Sequence, residues 1–177
     1  MKTPLFKPQT EWLPPESFPD LSKHDEIAID LETKDPGLKT MGSGSVTGKG
    51  RIVGIALAVD NWSGYYPIAH EGGGNMDEKI VMDYFRTVLN LPARKIFHNA
   101  MYDVCFIRAA GLKINGEIVD TMNAGSLVDE NRFRYDLGSM GRDYLGRGKN
   151  EAVLNETAAL WGVDPKSEMY KLPAIYV

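Results

Sequence analysis

The sequence predicts an α/β fold in which helices cover a mixed β-sheet. Three strand patterns follow one another in the first half of the chain, and helix and strand patterns then alternate, an order typical of a mixed sheet with helices packed on it. The 177 residues are enough for one domain with a proper core. With 43% apolar and 25% charged residues, the composition is that of an ordinary globular protein.

The first strand follows a proline-rich start. Residues 1–24 hold five of the ten prolines, and we expect an irregular lead-in there and the folded domain over 25–177. The isoleucines and bounding polar residues of 26–32 predict a strand. A loop is expected over 34–50, mobile in its glycine-rich part at 42–50.

The next two strands are expected to differ in their place in the sheet. Residues 52–59 are apolar on both faces, as expected of a central, covered strand. Residues 64–68 predict a third strand. Pro67 places this strand toward an edge, because proline cannot donate a hydrogen bond to a neighbouring strand.

From residue 75 onward the apolar spacing becomes helical. Asn75 and Glu78 have the spacing of a capping box, and Asp120 and Asp136 are placed to cap two later helices. The predicted elements are a helix ending before Pro92, a strand at 95–98, a helix at 100–110, a strand at 117–119, and helices at about 121, 137–145 and 151–161.

Two carboxylates lie on the first predicted strand. Asp30 and Glu32 are two residues apart, so both side chains leave the same face. Adjacent carboxylates beside an apolar strand cost free energy unless a cation neutralises them, and Mg²⁺ favours one or two carboxylates with water and phosphate oxygens. With 24 acidic residues, chance alone gives roughly three such pairs, so the spacing also fits a solvated strand end.

Asp103 is the third candidate acid. It lies one turn into the helix that begins after Asn99, which we expect to cap that helix. An aspartate in this position is stabilised by the helix dipole by about 0.3–1 kcal/mol. Taken alone, Asp103 therefore favours a structural role.

Read in order, the three acids and their surroundings resemble a known family. The strand-borne acids, the His98–Asp103 stretch and the stretch around Asp120 are similar to the DEDD exonuclease superfamily, and most of all to the 3′–5′ proofreading exonuclease domain of family A, or polymerase I-type, DNA polymerases. The resemblance runs from about Glu26 to the C-terminus. The matching segments are residues 29–33, 51–57, 65–70, 98–103, 119–122 and 136–146.

The resemblance implies a ribonuclease H-like fold with a mixed five-stranded sheet flanked by helices. It also implies hydrolysis of the 3′-terminal phosphodiester of single-stranded DNA by two divalent ions, Mg²⁺ or Mn²⁺. By the family pattern, Asp30 would bridge both ions, Glu32 would bind the ion that activates water, and Asp103 would hold the second ion largely through water. These three are the implied catalytic and metal-binding residues.

The same resemblance implies substrate contacts. Asn99 matches the family's polar residue near the terminal nucleotide, and Thr33 follows directly after the acidic pair. Leu38, in the loop after Glu32, would wedge between the last bases, because apolar side chains suit unstacking.

One feature of the family pattern is not found in this chain. The family requires a fourth carboxylate on a late helix, in a Tyr-x-x-x-Asp or His-x-x-x-x-Asp arrangement, and the sequence reaches Val177 without it. We expect a piece of a longer polypeptide that lacks the C-terminal helix bearing this last motif and that precedes a polymerase domain. Weak Mg²⁺ binding, impaired activity and an exposed apolar face that promotes self-association would follow.

Two other functions stay open. A ribonuclease D-like 3′–5′ exoribonuclease would use the same acids, and a catalytically inert nucleic-acid-binding or scaffold module would keep the fold without the reaction. The net charge of −4 argues against coating duplex DNA by counterion release alone. The single cysteine and the lack of an apolar leader or membrane-spanning run predict a cytoplasmic protein, in a bacterium or in a phage-infected cell.

Overall fold

The computed structural model describes residues 9–177 and confirms the five-stranded mixed sheet. The strands are β1 (Glu26–Lys34), β2 (Arg51–Val59), β3 (Trp62–Pro67), β4 (Arg94–Phe97) and β5 (Ile118–Asp120). The helices are α1 (Leu38–Met41), α2 (Gly44–Thr47), α3 (Glu78–Asn90), α4 (Ala100–Ala109), α5 (Thr121–Val128), α6 (Leu137–Leu145) and α7 (Ala152–Trp161), followed by 3₁₀ turns at Met169–Lys171 and Ala174–Tyr176.

The strand order is β3-β2-β1-β4-β5, which puts β1 at the centre of the sheet. β1 is antiparallel to β2 and parallel to β4, β3 is antiparallel to β2, and β5 is parallel to β4. The edge position that Pro67 predicts for β3 is confirmed. Because helices α4 and α5 each follow a parallel strand, their N-termini lie at the same edge of the sheet as the end of β1.

The main core lies against one face of β1. The alternate residues Ile27, Ile29 and Leu31 are buried there, and α3 and α4 cover them. The helical residues of this cluster are Val81, Phe85, Val88, Leu89, Val104, Phe106 and Ile107. The other face of β1 carries Glu26, Ala28, Asp30 and Glu32.

Residues 9–25 form neither helix nor strand, yet they pack across β3. Phe18 stacks on Tyr66 with ring centroids 5.3 Å apart, and the Tyr84 hydroxyl donates to the Pro19 carbonyl at 2.9 Å. Residues 1–8 of the predicted lead-in lie outside the described residues.

The capping box predicted at Asn75 and Glu78 is wrong. Asp77 caps α3, with its carboxylate accepting from the Ile80 amide at 2.9 Å. Asn75 instead pairs with the backbone of His70, accepting from its amide at 2.7 Å and donating to its carbonyl at 2.8 Å. The helix therefore starts from the nearer acid, and the amide side chain closes the preceding loop.

The segment predicted to be a loop between β1 and β2 contains the short helices α1 and α2. Asp35 anchors it, accepting from the Gly44 amide at 3.1 Å and from the Tyr102 hydroxyl of α4 at 3.0 Å. A Cβ on Gly44 would lie 2.6 Å from the Cα of Gly50. This close approach of two backbone segments is possible only with glycine.

The caps predicted for α5 and α6 are observed. Asp120 accepts from the Met122 amide, and Asp136 from the Ser139 amide, both at 2.9 Å. After α7 the described chain forms only short 3₁₀ turns, and these pack on α7 in a cluster that includes Trp161, Leu172 and Tyr176. None of the helices in residues 9–177 has the length and apolar character needed to cross a membrane.

Candidate functional site

Asp30 and Glu32 lie on the face of β1 opposite its three buried apolar residues. In the antiparallel pairing with β2, Asp30 is opposite Ala56 and Glu32 is opposite Gly54. Directly paired residues share a face of the sheet. These small residues on β2 therefore leave room beside both carboxylates for other groups to approach.

Asp103 reaches the same place from α4. Its side chain is almost fully buried, at 3% exposure. Burial raises its pKa to about 7, the charge of Asp30 adds to the rise, and backbone groups of Leu31 and of Asp103 itself oppose it. Asp103 thus lies against the backbone of β1 at Leu31, between Asp30 and Glu32.

The other two acids also have raised pKa values. Burial raises the pKa of Glu32 to about 8, and the charges of Asp30 and Asp103 contribute, whereas Lys149 opposes the rise. Asp30 is solvent-exposed but lies in the wall of a cavity, and desolvation there raises its pKa against the charges of Lys149 and His98. The fold therefore brings the three predicted acids together, and their mutual repulsion is the kind that a bound cation relieves.

The donor set consists of oxygen atoms alone, which is the chemistry that Mg²⁺ and Mn²⁺ prefer. Within residues 9–177, no three His, Cys, Asp or Glu side chains are drawn together into the geometry of a metal site. The residue types therefore fit a divalent cation, although the three side chains are not drawn together around one.

The three predicted substrate-binding residues lie on three different elements: Thr33 on β1, Leu38 on α1 and Asn99 at the start of α4. Leu38 is exposed on α1. The hydroxyl of Thr33 pairs with that of Tyr102 at 2.8 Å. Asn99 has a left-handed backbone with φ 65° and occupies the N-cap position of α4, but its side chain makes no capping hydrogen bond.

The expected cap at Asn99 is supplied instead by Asp120. Its carboxylate accepts from the backbone amides of Asn99 and Ala100, each at 3.0 Å, in addition to that of Met122. One aspartate therefore serves the N-termini of both α4 and α5. The exposed amide side chain of Asn99 remains available to face the site.

A family model described as 3′–5′ exonuclease matches residues 7–174. The chain belongs to the 3′–5′ exonuclease family. The DNA-directed DNA polymerase of Pseudomonas phage M6 is 32% identical over 189 aligned positions, which cover the whole chain and 28% of the polymerase. The resemblance to exonuclease domains of family A polymerases is thereby confirmed, and the chain spans 28% of the length of that relative.

Solved structures show the same fold at low identity. Brucella melitensis NrnC with bound Mg²⁺ has a TM-score of 0.56 and 16% identity, over 84% of this chain and 81% of its own. Escherichia coli RNase D, described as an exoribonuclease involved in structured RNA processing, has a TM-score of 0.54 and 13% identity, over 85% of this chain and 36% of its own. The exonuclease domain therefore has the ribonuclease H-like fold that the sequence predicts.

Two residues of this exonuclease domain were not predicted to belong to the site. Tyr65 and His70 lie in the segment 65–70 and are not among the predicted site residues, yet the Tyr65 hydroxyl lies 2.5 Å from His70 Nε2. A Cβ on Gly54 would overlap this hydroxyl, so the phenol lies directly over the residue that faces Glu32. The alternation of adjacent aromatics in β3 is the sequence signal that one of them leaves the core face.

A cavity of about 500 Å³ opens on the same face of the sheet. Its lining includes Ala28, Ala56 and Ala58 of the sheet, together with Asp30 and His98. Because apolar residues line it beside a carboxylate, the cavity can accommodate a flat apolar group next to a charged one. The exonuclease domain therefore has space for a nucleotide beside its acids.

Proposed function

We propose that this chain is the 3′–5′ exonuclease domain of a phage DNA polymerase and removes nucleotides from the 3′ end of single-stranded DNA. The observation that carries the proposal is that Asp103 of α4 lies close enough to Asp30 and Glu32 of β1 for their negative charges to raise the pKa of Glu32 and Asp103. The phage relative supports DNA as the substrate. The Mg²⁺ bound to a protein of the same fold supports a divalent cation.

Asp30 would hold both cations, with Glu32 and Asp103 each completing one site. The charge of Asp30 raises the pKa of both other acids, whereas Lys149 opposes the rise for Asp30 and Glu32 alone. Two bound Mg²⁺ or Mn²⁺ ions supply stabilisation of the attacking and leaving oxygens. The chain's own carboxylates give up their protons on binding and fix the position of the scissile phosphate.

The terminal nucleotides would lie between α1 and the start of α4. Asn99 presents an exposed amide there, and Leu38 is exposed on the first helix after β1. Thr33 is tied to α4 through Tyr102, which holds the end of β1 in place. We assign Asn99 and Thr33 to contacts with the terminal nucleotide and Leu38 to the unstacking of the last bases.

No further acid of residues 9–177 completes the site as the family pattern requires. The charge of Asp120 reaches Asp103, but its carboxylate is committed to three backbone amides. Asp164 accepts from the amides of Lys166 and Ser167 in a turn near the C-terminus. We therefore expect weak cation binding and slow hydrolysis from this chain alone.

The test is digestion of a single-stranded DNA labelled so that each shortening step is seen, with Mg²⁺ or Mn²⁺ at raised concentration. Asp30→Ala is compared with Asp60→Ala, a matched change at an exposed acid in the turn between β2 and β3. The expected result is cation-dependent shortening from the 3′ end that Asp30→Ala abolishes and Asp60→Ala preserves. Shortening that survives in Asp30→Ala would rule out the assigned site.

A second candidate is a 3′–5′ exoribonuclease, which the fold shared with RNase D favours. Parallel digestion of single-stranded DNA and RNA of the same sequence separates the two functions. Faster loss of the DNA is expected. A catalytically inert binding module would instead bind both oligonucleotides equally well in the wild type and in Asp30→Ala, and shorten neither.

We infer that a polymerase domain acts together with this domain, because the matched phage polymerase is much longer than the chain. Its place of action would then be the cytoplasm of an infected bacterial cell. Co-purification of the chain with the polymerase region of the same phage is the direct test.

A further inference from the structure

Tyr65 lies in a row of residues that runs across the acidic face of the sheet. It pairs with Ala56 of β2, and Ala56 pairs in turn with Asp30 of β1. Directly paired residues of antiparallel strands point to the same face. The phenol of Tyr65 therefore stands on the same face as Asp30 and Glu32, with only an alanine between it and the first of them.

The hydroxyl of Tyr65 leans along this row toward Glu32. It lies over Gly54, where any Cβ would overlap it, and Gly54 is the residue directly opposite Glu32. Burial raises the pKa of the phenol first, and the negative charges of Glu32 and Asp30 raise it further. Glycine at position 54 thus gives a neutral hydroxyl direct access to the acid cluster.

His70 holds this hydroxyl in place. Its ring is almost fully buried, at 3% exposure, and Nε2 lies 2.5 Å from the Tyr65 oxygen. The backbone of His70 is locked by both hydrogen bonds with Asn75. Because burial lowers the pKa of His70 to about 4, the ring is neutral at pH 7 and carries one N–H.

The surroundings of the ring select which nitrogen carries that proton. Nδ1 is buried without a hydrogen-bond partner among residues 9–177. The nearby carbonyls of Leu172 and Met169 favour a proton on the ring, although neither meets hydrogen-bond geometry with Nδ1. With the proton on Nδ1, Nε2 accepts the Tyr65 O–H, and the phenol oxygen then keeps its lone pairs for the acidic face.

We propose that Tyr65, oriented by His70, is a positioning residue whose oxygen accepts a hydrogen bond from a water molecule on the cation held by Glu32. The inference rests on the proposed function, since it needs a cation at the acids. Hydrogen-bond partners of this kind orient the groups around a metal, and their loss typically lowers metal affinity about 10- to 100-fold. A buried tyrosine with a purely structural role would leave that affinity unchanged.

The experiment is calorimetric titration of the full chain with Mn²⁺ alone, with no nucleic acid. Tyr65→Phe removes only the hydroxyl and is expected to weaken Mn²⁺ binding at least about tenfold. Tyr66→Phe is the matched control, because that neighbouring hydroxyl donates to the Ser17 carbonyl at 3.2 Å, away from the acids. Its affinity should equal that of the wild type, and melting curves without metal should confirm that both variants fold.

A second variant links the two residues. His70→Phe leaves the Tyr65 hydroxyl without its partner and is expected to lower the affinity as Tyr65→Phe does. The double variant should lose no more than either single variant, because the two residues act through one hydrogen bond. Additive losses would overturn the proposed pairing.

The outcomes separate this inference from the proposed function. Wild-type Mn²⁺ affinity in Tyr65→Phe, together with lost binding in Asp30→Asn, would refute the role of Tyr65 and leave the metal site intact. Unchanged binding in Asp30→Asn, or no Mn²⁺ binding by the wild type, would refute both.

Discussion

The two faces of β1 differ in what holds them in place. On one face Ile27, Ile29 and Leu31 pack into the core under α3 and α4. The other face carries Asp30 and Glu32, with the buried Asp103 of α4 close by; burial raises the pKa of all three acids, and like charge adds to the rise for Glu32 and Asp103. One face of β1 thus stabilises the fold. The buried and mutually repelling acids at the other face destabilise it until a cation binds.

The largest expected effect is on the packed face. Ile29→Ala should lower the free energy of unfolding by about 2–5 kcal/mol, since it removes buried methyl groups and leaves a cavity. Urea unfolding measures the change. Ile80→Ala is the matched control, because Ile80 is 55% exposed on α3. Equal losses at the two positions would contradict the assignment of the core face.

The acidic face should behave in the opposite way. In chelator-treated protein, Asp103→Asn is expected to raise the free energy of unfolding at pH 7.5 by about 1–3 kcal/mol, because a buried, repelled charge is removed. Adding Mn²⁺ should stabilise the wild type more than the variant, which keeps only the cation site of Asp30 and Glu32. A loss of stability in the metal-free variant would show that Asp103 supports the fold.

The same residue predicts a pH dependence. Its pKa rises from 3.8 to about 7 on folding, so between these values the folded chain keeps a proton that the unfolded chain has lost. Its contribution to stability therefore falls as the pH rises through that window. Asp103→Asn should flatten the profile, as followed by thermal unfolding in metal-free buffer.

The smallest expected effect is on the segment after β1, which contains α1 and α2 and is held to α4 through Tyr102. Tyr102→Phe removes the hydrogen bonds to Asp35 and Thr33 and should cost about 0.5–1.5 kcal/mol. The segment holding α1 and α2 should then be cleaved faster by protease. Tyr144→Phe, at an exposed tyrosine, should change neither the stability nor the cleavage.

Local patterns made much of the fold predictable. The alternation of 26–32 predicts both faces of β1, because successive side chains of a strand point to opposite sides. Asp120 and Asp136 are caps because a short acid next to a helix start reaches a free amide. Asn75 and Asp77 both have a side-chain oxygen that could cap α3. In the folded chain the Asn75 oxygen accepts from the His70 amide, and Asp77 is the cap.

Contacts between distant segments could not be predicted in the same way. The link from Asp35 to Gly44 and Tyr102 orders the segment after β1, and its residues are separated by other elements along the chain. The role of Asp120 at α4 depends on the parallel pairing of β4 and β5. Tyr65 and Tyr66 look alike in sequence, and only the register of β3 against β2 placed the first beside the acids.

The sequence by itself determined the order of the strands and of the five longer helices along the chain, the shared face of Asp30 and Glu32, and the resemblance to an exonuclease, because these depend on residue types and short spacings. The tertiary structure decided how deeply Glu32 and Asp103 are buried, which acid caps which helix, and that Tyr65 and His70 adjoin the site. Desolvation and charge repulsion depend on every element packed around a group. The desolvation and the charge repulsion at the acids are therefore set only once the strands are paired and the helices are packed.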